Sequence, residues 1–172
     1  MPRHRVLTPL RWSDMDVYGH VNNVQFLRIM EEARVIAFNS GGNAAAALPA
    51  TGLVVARTEI EYLTPLVYRT APIAVDLWVT RVGAADFDMA YEILDRDASG
   101  GGTGAVYARA ETMLVAFDLT TQRPRRIDEK DREILAEWAD SPVRWKRRRG
   151  DRGAARVAGG ARSGARSVAR PA

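Results

Sequence analysis

Between residues 22 and 117 the spacing of apolar residues changes once, from helical to alternating, and does not change back. Phe26, Met30, Ala33 and Ala37 recur at i, i+4, i+7 and i+11, which predicts a helix over about 22–39. Leu27, Ile29 and Ile36 widen its apolar surface, so a mostly buried helix is expected. Asn22 or Asn23 can cap its start, Glu31 and Arg34 can pair on its polar side, and Ser40-Gly41-Gly42-Asn43 stops it.

After a loop of small residues at 44–50, four segments alternate with period two. In 53–63, Thr58, Ile60 and Tyr62 oppose Arg57, Glu59 and Glu61. In 73–82, Ile73, Val75, Leu77 and Val79 share a face, and in 87–95 so do Phe87, Met89, Tyr91 and Ile93. In 105–117, Tyr107, Met113, Val115 and Phe117 oppose Val106, Ala108, Ala110 and Leu114. Thr64-Pro65, Ala71-Pro72 and Ser99-Gly100-Gly101-Gly102 are turn chemistry. Residues 3–11 alternate loosely as a first strand, and an amphipathic helix at about 128–138 offers Ile134, Leu135 and Trp138 to the core.

Parallel strands need crossover helices, and none separates the four late strands. They are expected to form an antiparallel meander, and wrapping that sheet around the long helix is the simplest way to bury it. The fold class is therefore α+β. The 172 residues suffice for one domain, placed at 1–145. Residues 146–172 hold nine of the 25 Lys and Arg but one of the 21 Asp and Glu, and almost no large apolar side chain. They cannot bury enough surface to offset the entropy of ordering, so a basic, disordered tail is expected. The remaining 145 residues carry 16 basic and 20 acidic side chains, so the net charge of +4 belongs to the tail. No segment has signal-peptide character or the ~20 apolar residues of a membrane span, which makes a cytoplasmic location the expectation.

Composition excludes much chemistry. With no Cys there is no thiol nucleophile and no disulfide, and with His4 and His20 alone no three-histidine metal site is possible. No Gly-x-Ser-x-Gly elbow occurs. Gly100-Gly101-Gly102-Thr103-Gly104 lacks the following lysine and helix of a phosphate loop and reads as a hairpin connection. Trp78 and Trp138 read as core or interface residues rather than ligand stackers.

The densest chemistry lies in Asp14-Met15-Asp16-Val17-Tyr18-Gly19-His20-Val21-Asn22-Asn23, which runs directly into the long helix. The first helical turn has free N–H groups and a partial positive charge, and can hold a carbonyl oxygen as it becomes an oxyanion. A nearby carboxylate is available as base or nucleophile, and Gly19 permits a tight turn. The alternative is that these residues merely form a turn and a cap.

This run, with Trp12-Ser13 before it and Phe26 and Glu31-Glu32-Ala33-Arg34 after it, resembles the hydroxybenzoyl-CoA thioesterase family, in particular small bacterial acyl-CoA thioesterases with the hot-dog fold. Arg57-Thr58-Glu59-Ile60-Glu61-Tyr62-Leu63-Thr64-Pro65-Leu66 and Thr112-Met113-Leu114-Val115-Ala116-Phe117-Asp118 agree, and the resemblance spans about residues 4–128. It implies an antiparallel sheet wrapped around a long central helix, homodimers or homotetramers, active sites at the dimer interface, and hydrolysis of acyl-CoA without cofactor or metal. The family's catalytic carboxylate falls on Asp16, and its carbonyl-polarising N–H on Asn23. Some relatives carry a histidine where this chain has Asn23, so a histidine-assisted mechanism does not transfer. His20 stands at another position, where it can orient the loop or contact substrate. Gly19, Val21 and Asn22 are assigned with it to substrate binding, and Arg57 and Thr58 to lining a neighbour's site, although a solvated strand face explains the last two as well.

Two other readings stay open: hydrolysis of acyl groups on an acyl carrier protein, against which the acidic body argues unless Arg144–Arg149 forms a local patch, and a noncatalytic acyl-CoA-binding module. The Gly-Asp-x-Asn-Pro-x-x-His run of hydratase relatives is not found. The tail could meet nucleic acid, acidic lipid or the phosphates of coenzyme A. Its arginines lack interleaved aromatics for base stacking, so a specific nucleic-acid partner is not expected.

Overall fold

The computed structural model describes residues 3–40, 52–96 and 101–146. The elements are β1 (His4–Thr8), α1 (Asn23–Ser40), β2 (Leu53–Tyr62), β3 (Ile73–Val82), β4 (Asp86–Leu94), β5 (Val106–Asp118), β6 (Arg123–Pro124) and α2 (Glu129–Glu137). The long helix, the four late strands and the closing helix thus form where the periodicity puts them. The first strand is shorter than expected, because the chain turns away at Leu10 into a 3-10 turn at Trp12–Asp14. The 44–50 loop, Ser99-Gly100 and the tail beyond Lys146 lie outside the described residues.

The sheet is antiparallel but is not a simple meander. Its order is β1-β3-β4-β5-β2, with β6 beside β5. The link over 63–72 carries Pro65 and Pro72 and is too long for a tight hairpin. It takes the chain from β2 across the sheet to β3, next to the far edge. β1 fills the free side of β3, in register Val6↔Val75, and β2 pairs with β5, in register Ile60↔Ala110. That leaves β2 at the end of the sheet.

One face of the sheet is mostly apolar. Val75, Leu77, Phe87, Met89, Tyr91, Ile93 and Leu114 are buried there with Phe26, Ile29, Met30, Ala33 and Ala37 of α1. Burying one such large side chain stabilises by roughly 2 kcal/mol. The β5 residues on this face include Ala108, Ala110 and Ala116, small positions among the large ones. The expectation of a mostly buried helix is corrected. Phe26, Ile29, Met30, Ala33, Ala37 and Phe38 are buried, but Val24, Leu27, Val35 and Ile36 are exposed, because the sheet covers one side of α1 only. The helix pair also differs: Arg28 meets Glu32, while Arg34 donates to the Tyr91 hydroxyl at 2.9 Å.

The opposite face of the sheet is crossed by residues 139–146. Val143 and Trp145 pack on Trp78 and Ala90, and the Trp78 indole donates to the Ser141 carbonyl at 2.7 Å. The Arg3 guanidinium lies 3.6 Å over the Trp78 ring. Asp128 caps α2 by accepting from the Asp131 N–H at 2.8 Å, and Trp138 just beyond stacks on His4 and Phe38.

Candidate active site

The loop between β1 and α1 is held by its own acidic residues. Asp14 is buried, and its Oδ2 accepts from the Arg11 N–H at 2.8 Å and from the Arg28 guanidinium at 2.7 Å. This bond ties the loop to the second turn of α1. Asp16 closes the tighter turn: its Oδ1 accepts from the N–H groups of Tyr18 at 2.8 Å and His20 at 3.1 Å. No donor meets its Oδ2 among the described residues. Gly19 sits between them at φ +79°, a backbone conformation that glycine adopts freely. Beyond the turn, the Val21 N–H donates to the Leu66 carbonyl at 2.7 Å and the Asn22 N–H to the Asp14 carbonyl at 2.8 Å.

Asn22 is the cap of α1, since its Oδ1 accepts from the Val24 N–H at 3.0 Å. Asn23 is the first helical residue, and its N–H has no acceptor among the described residues. Its carbonyl accepts from the Tyr62 hydroxyl at 3.0 Å. Tyr62 also meets the Phe26 ring edge-on, with centroids 5.3 Å apart. Partial desolvation raises the Tyr62 phenol above its ordinary value, outweighing the bond to Asn23.

These groups surround a cleft of about 340 Å³, lined by Asp16, His20, Val21, Asn23, Phe26, Tyr62 and residues 63–66. Asp16 is the one carboxylate in that lining, and no Lys or Arg belongs to it. A carboxylate and a helix-terminal residue with a free N–H in one partly apolar cleft can attack, and stabilise charge on, a carbonyl group. Among the described residues no group of three or more His, Asp or Glu could hold a metal ion.

A model of the thioesterase-like superfamily matches residues 10–138, which include the loop, the cleft and the whole sheet except β1. The chain belongs to this superfamily. A Thermus thermophilus thioesterase solved with coenzyme A and zinc is 28% identical, over 78% of this chain and 92% of that one, with a TM-score of 0.64. A Xanthomonas campestris protein described as a candidate acyl-CoA thioesterase is 34% identical over 69% of this chain and 96% of that one, with a TM-score of 0.57. A thioesterase predicted in Bacillus stearothermophilus shares the fold at 24% identity, covering 81% of this chain and 98% of that one, with a TM-score of 0.66. No curated protein matches. The fold is thus the hot-dog fold of thioesterases, and thioester hydrolysis is the chemistry that superfamily membership assigns.

Of the residues singled out in the sequence, Asp16, His20, Val21 and Asn23 come together in the cleft, with Gly19 and Asn22 shaping the loop and cap. Arg57 and Thr58 do not join them. Thr58 lines a second cleft of about 330 Å³ with Val24, Leu27 and Arg34 of α1. Arg57 is exposed and belongs to the opposite register, pairing with Met113 after a bulge at Ala56. Phe26, Tyr62 and residues 63–66 were missed as cleft residues. The inward parity of Tyr62 was legible, but its meeting with Asn23, 39 positions away, was not.

Proposed function

We propose that the protein hydrolyses acyl-CoA to a carboxylic acid and free coenzyme A. The reading rests on one observation: Asp16 and Asn23 line the same cleft, and neither Asp16 Oδ2 nor the Asn23 N–H is engaged among the described residues. The thioester carbonyl oxygen points to the Asn23 N–H. Asp16 Oδ2 delivers the attack on the carbonyl carbon, directly or through a water. The oxyanion that forms is held at the helix start, and one such donor contributes about 3–4 kcal/mol. Collapse of the tetrahedral species breaks the C–S bond and releases the thiolate. In the water route the proton that Asp16 took from the water passes to the thiolate. In the direct route a water then opens the anhydride formed on Asp16, giving the carboxylic acid, with the thiolate taking the proton released. His20 and Val21 line the wall against which the substrate lies, and Phe26, Leu63 and Leu66 supply an apolar surface for it. The family resemblance and the similarity to thioesterase structures support the same reaction.

A thiol-release assay over short, long and aromatic acyl-CoA esters tests the reading. Release of free coenzyme A that is lost in Asp16→Asn supports it. No release from any ester, or equal release by the variant, overturns it.

The same reading includes a homodimer. β2 ends the sheet with Val54, Val55 and Tyr62 exposed, and an edge strand of this kind can pair with its own copy. Sedimentation of the protein as a monomer at assay concentration would remove this part of the proposal.

A further inference from the structure

Position 34 breaks the apolar pattern of α1. Met30, Ala33 and Ala37 turn into the core, and Arg34, in the same stretch of helix, is half-buried with them. Its guanidinium donates to the hydroxyl of the fully buried Tyr91 at 2.9 Å. That uses one of five N–H donors, and among the described residues no carboxylate pairs with it. Arg28 on the same helix is by contrast already paired, with Asp14 and Glu32. A cation partly withdrawn from water and lacking a counter-ion gains from an anion that comes to it.

Arg34 lines the second cleft, of about 330 Å³. Val24, Leu27 and Met30 of α1 and Val55 of β2 make its walls mostly apolar. The strands bring two hydroxyls to it, Thr58 and Thr112, whose oxygens are 3.2 Å apart. Thr112 is buried on the mostly apolar face of the sheet. Apolar walls with a few polar groups gathered in one place are the make-up of a ligand site. Glu31 is the one acid in this lining, and it is exposed, where water and salt screen it.

This cleft follows the first along one seam. α1 and β2 pass each other in opposite directions. Asn23 at the helix start meets Tyr62 at the strand end, and both line the first cleft. The second cleft is lined by later residues of α1, as far as Arg34, and by earlier residues of β2, at Thr58 and Val55. A molecule whose carbonyl lies at Asn23 can therefore extend along the seam towards Arg34. The helix rises about 16 Å between those two residues. With C–C bonds of about 1.5 Å, foreshortened by the bond angle, roughly a dozen carbons cover that distance.

We propose that the second cleft takes the far end of the acyl group, and that Arg34 selects acyl chains ending in a carboxylate. The proposal rests on the acyl-CoA reading above. A terminal carboxylate accepts charge-assisted bonds from the guanidinium, with the threonine hydroxyls as further donors. Val24, Leu27, Met30 and Val55 cover the methylenes. A chain ending in methyl gains the same apolar burial but leaves the guanidinium without an anion.

The test compares succinyl-, suberoyl- and dodecanedioyl-CoA with butyryl-, octanoyl- and dodecanoyl-CoA, the esters of equal length that end in methyl. The readout is the ratio of kcat/KM within each pair and each protein, which the fraction of folded protein does not alter. In the parent the ratio rises with length and reaches about tenfold in favour of the carboxylate at dodecanedioyl-CoA. Succinyl-CoA is too short to reach Arg34 and shows no such preference. In Arg34→Met the preference at dodecanedioyl-CoA disappears, and Arg34→Lys, which keeps the charge without the planar fork, retains part of it. Both changes also disturb the bond to Tyr91, so Leu27→Glu is the second variant. It leaves Arg34 and Tyr91 in place, sets a carboxylate in the path of the chain, and brings the ratio below one. No preference in the parent, or a preference that Arg34→Met leaves as it was, overturns the inference while thioester hydrolysis stands. If Arg34→Met instead changes the sedimentation of the protein with the ratio unaltered, Arg34 belongs to a contact between copies, and the inference likewise fails. If no ester is hydrolysed, the acyl-CoA reading fails, and calorimetric titration of decanoate decides the inference alone. Binding about tenfold weaker in Arg34→Met than in the parent supports it; equal binding, or none to either, overturns it.

Discussion

The Tyr62 hydroxyl donates to the carbonyl oxygen of Asn23 at 3.0 Å, joining the last residue of the edge strand to the first residue of the central helix. The bond holds one wall of the cleft against the residue whose own N–H, one peptide earlier, faces the thioester in the proposed reaction. Tyr62→Phe keeps the edge-on packing on Phe26 and removes this bond alone. A neutral hydrogen bond of this kind contributes about 1 kcal/mol. The expected outcome is a fall in kcat of about tenfold or less with a drop of a few degrees in Tm, measured by thiol release and thermal unfolding. An unchanged kcat would show that the tether does not position the helix start.

Asp16 does two things at once, which allows its roles to be separated. Asp16→Asn retains an oxygen for the Tyr18 and His20 N–H groups but has no charge to attack with. Its kcat should fall by a factor on the order of 10² or more while its Tm stays within a degree or two of the parent. Asp16→Ala loses the turn as well, so its Tm should fall further than that of the asparagine variant. Equal melting temperatures for the two would mean that the carboxylate does not hold the loop.

Asp14 is a structural carboxylate. Its side chain is 3% exposed against 23% for Arg28, so removing it leaves a guanidinium and the Arg11 N–H short of an acceptor. Asp14→Ala should cost about 2–3 kcal/mol in urea unfolding. Asp14→Asn keeps one acceptor and should cost less. If the alanine variant unfolds at the parent's urea midpoint, the loop is held by its backbone bonds alone.

Acid stability should depend on Asp95. Hydrogen bonds from Thr103 and from the Arg69 guanidinium hold its carboxyl down at about 2, against the ordinary 3.8. A carboxyl whose pKa is depressed by folding contributes fully above its unfolded value, and that contribution is lost as pH falls from about 4 towards 2. Asp118 and Asp140 shift the same way, Asp118 through backbone donors and Asp140 through the Ser141 N–H and then Arg3. Asp95→Asn should therefore flatten, without abolishing, the acid limb of a urea-midpoint profile over that window. A profile identical to the parent's would sink the assignment.

The sequence alone determined most local choices: where α1, the four late strands and the closing helix run, which parity of those strands is apolar, and that the one dense group of reactive side chains, Asp14 to Asn23, leads into a helix start. Periodicity, capping and turn chemistry act over a few residues, so they are legible in a string of letters. Only the tertiary structure decided that β2 lies beside β5 rather than β3, that part of the apolar surface of α1 stays uncovered, and that Asp14 is buried against Arg28 while Asp16 faces a cleft. It also decided that Tyr62 meets Asn23. Those outcomes depend on which strand edge is free once all the others have paired. That competition is settled by contacts between residues tens of positions apart, and no local pattern encodes it.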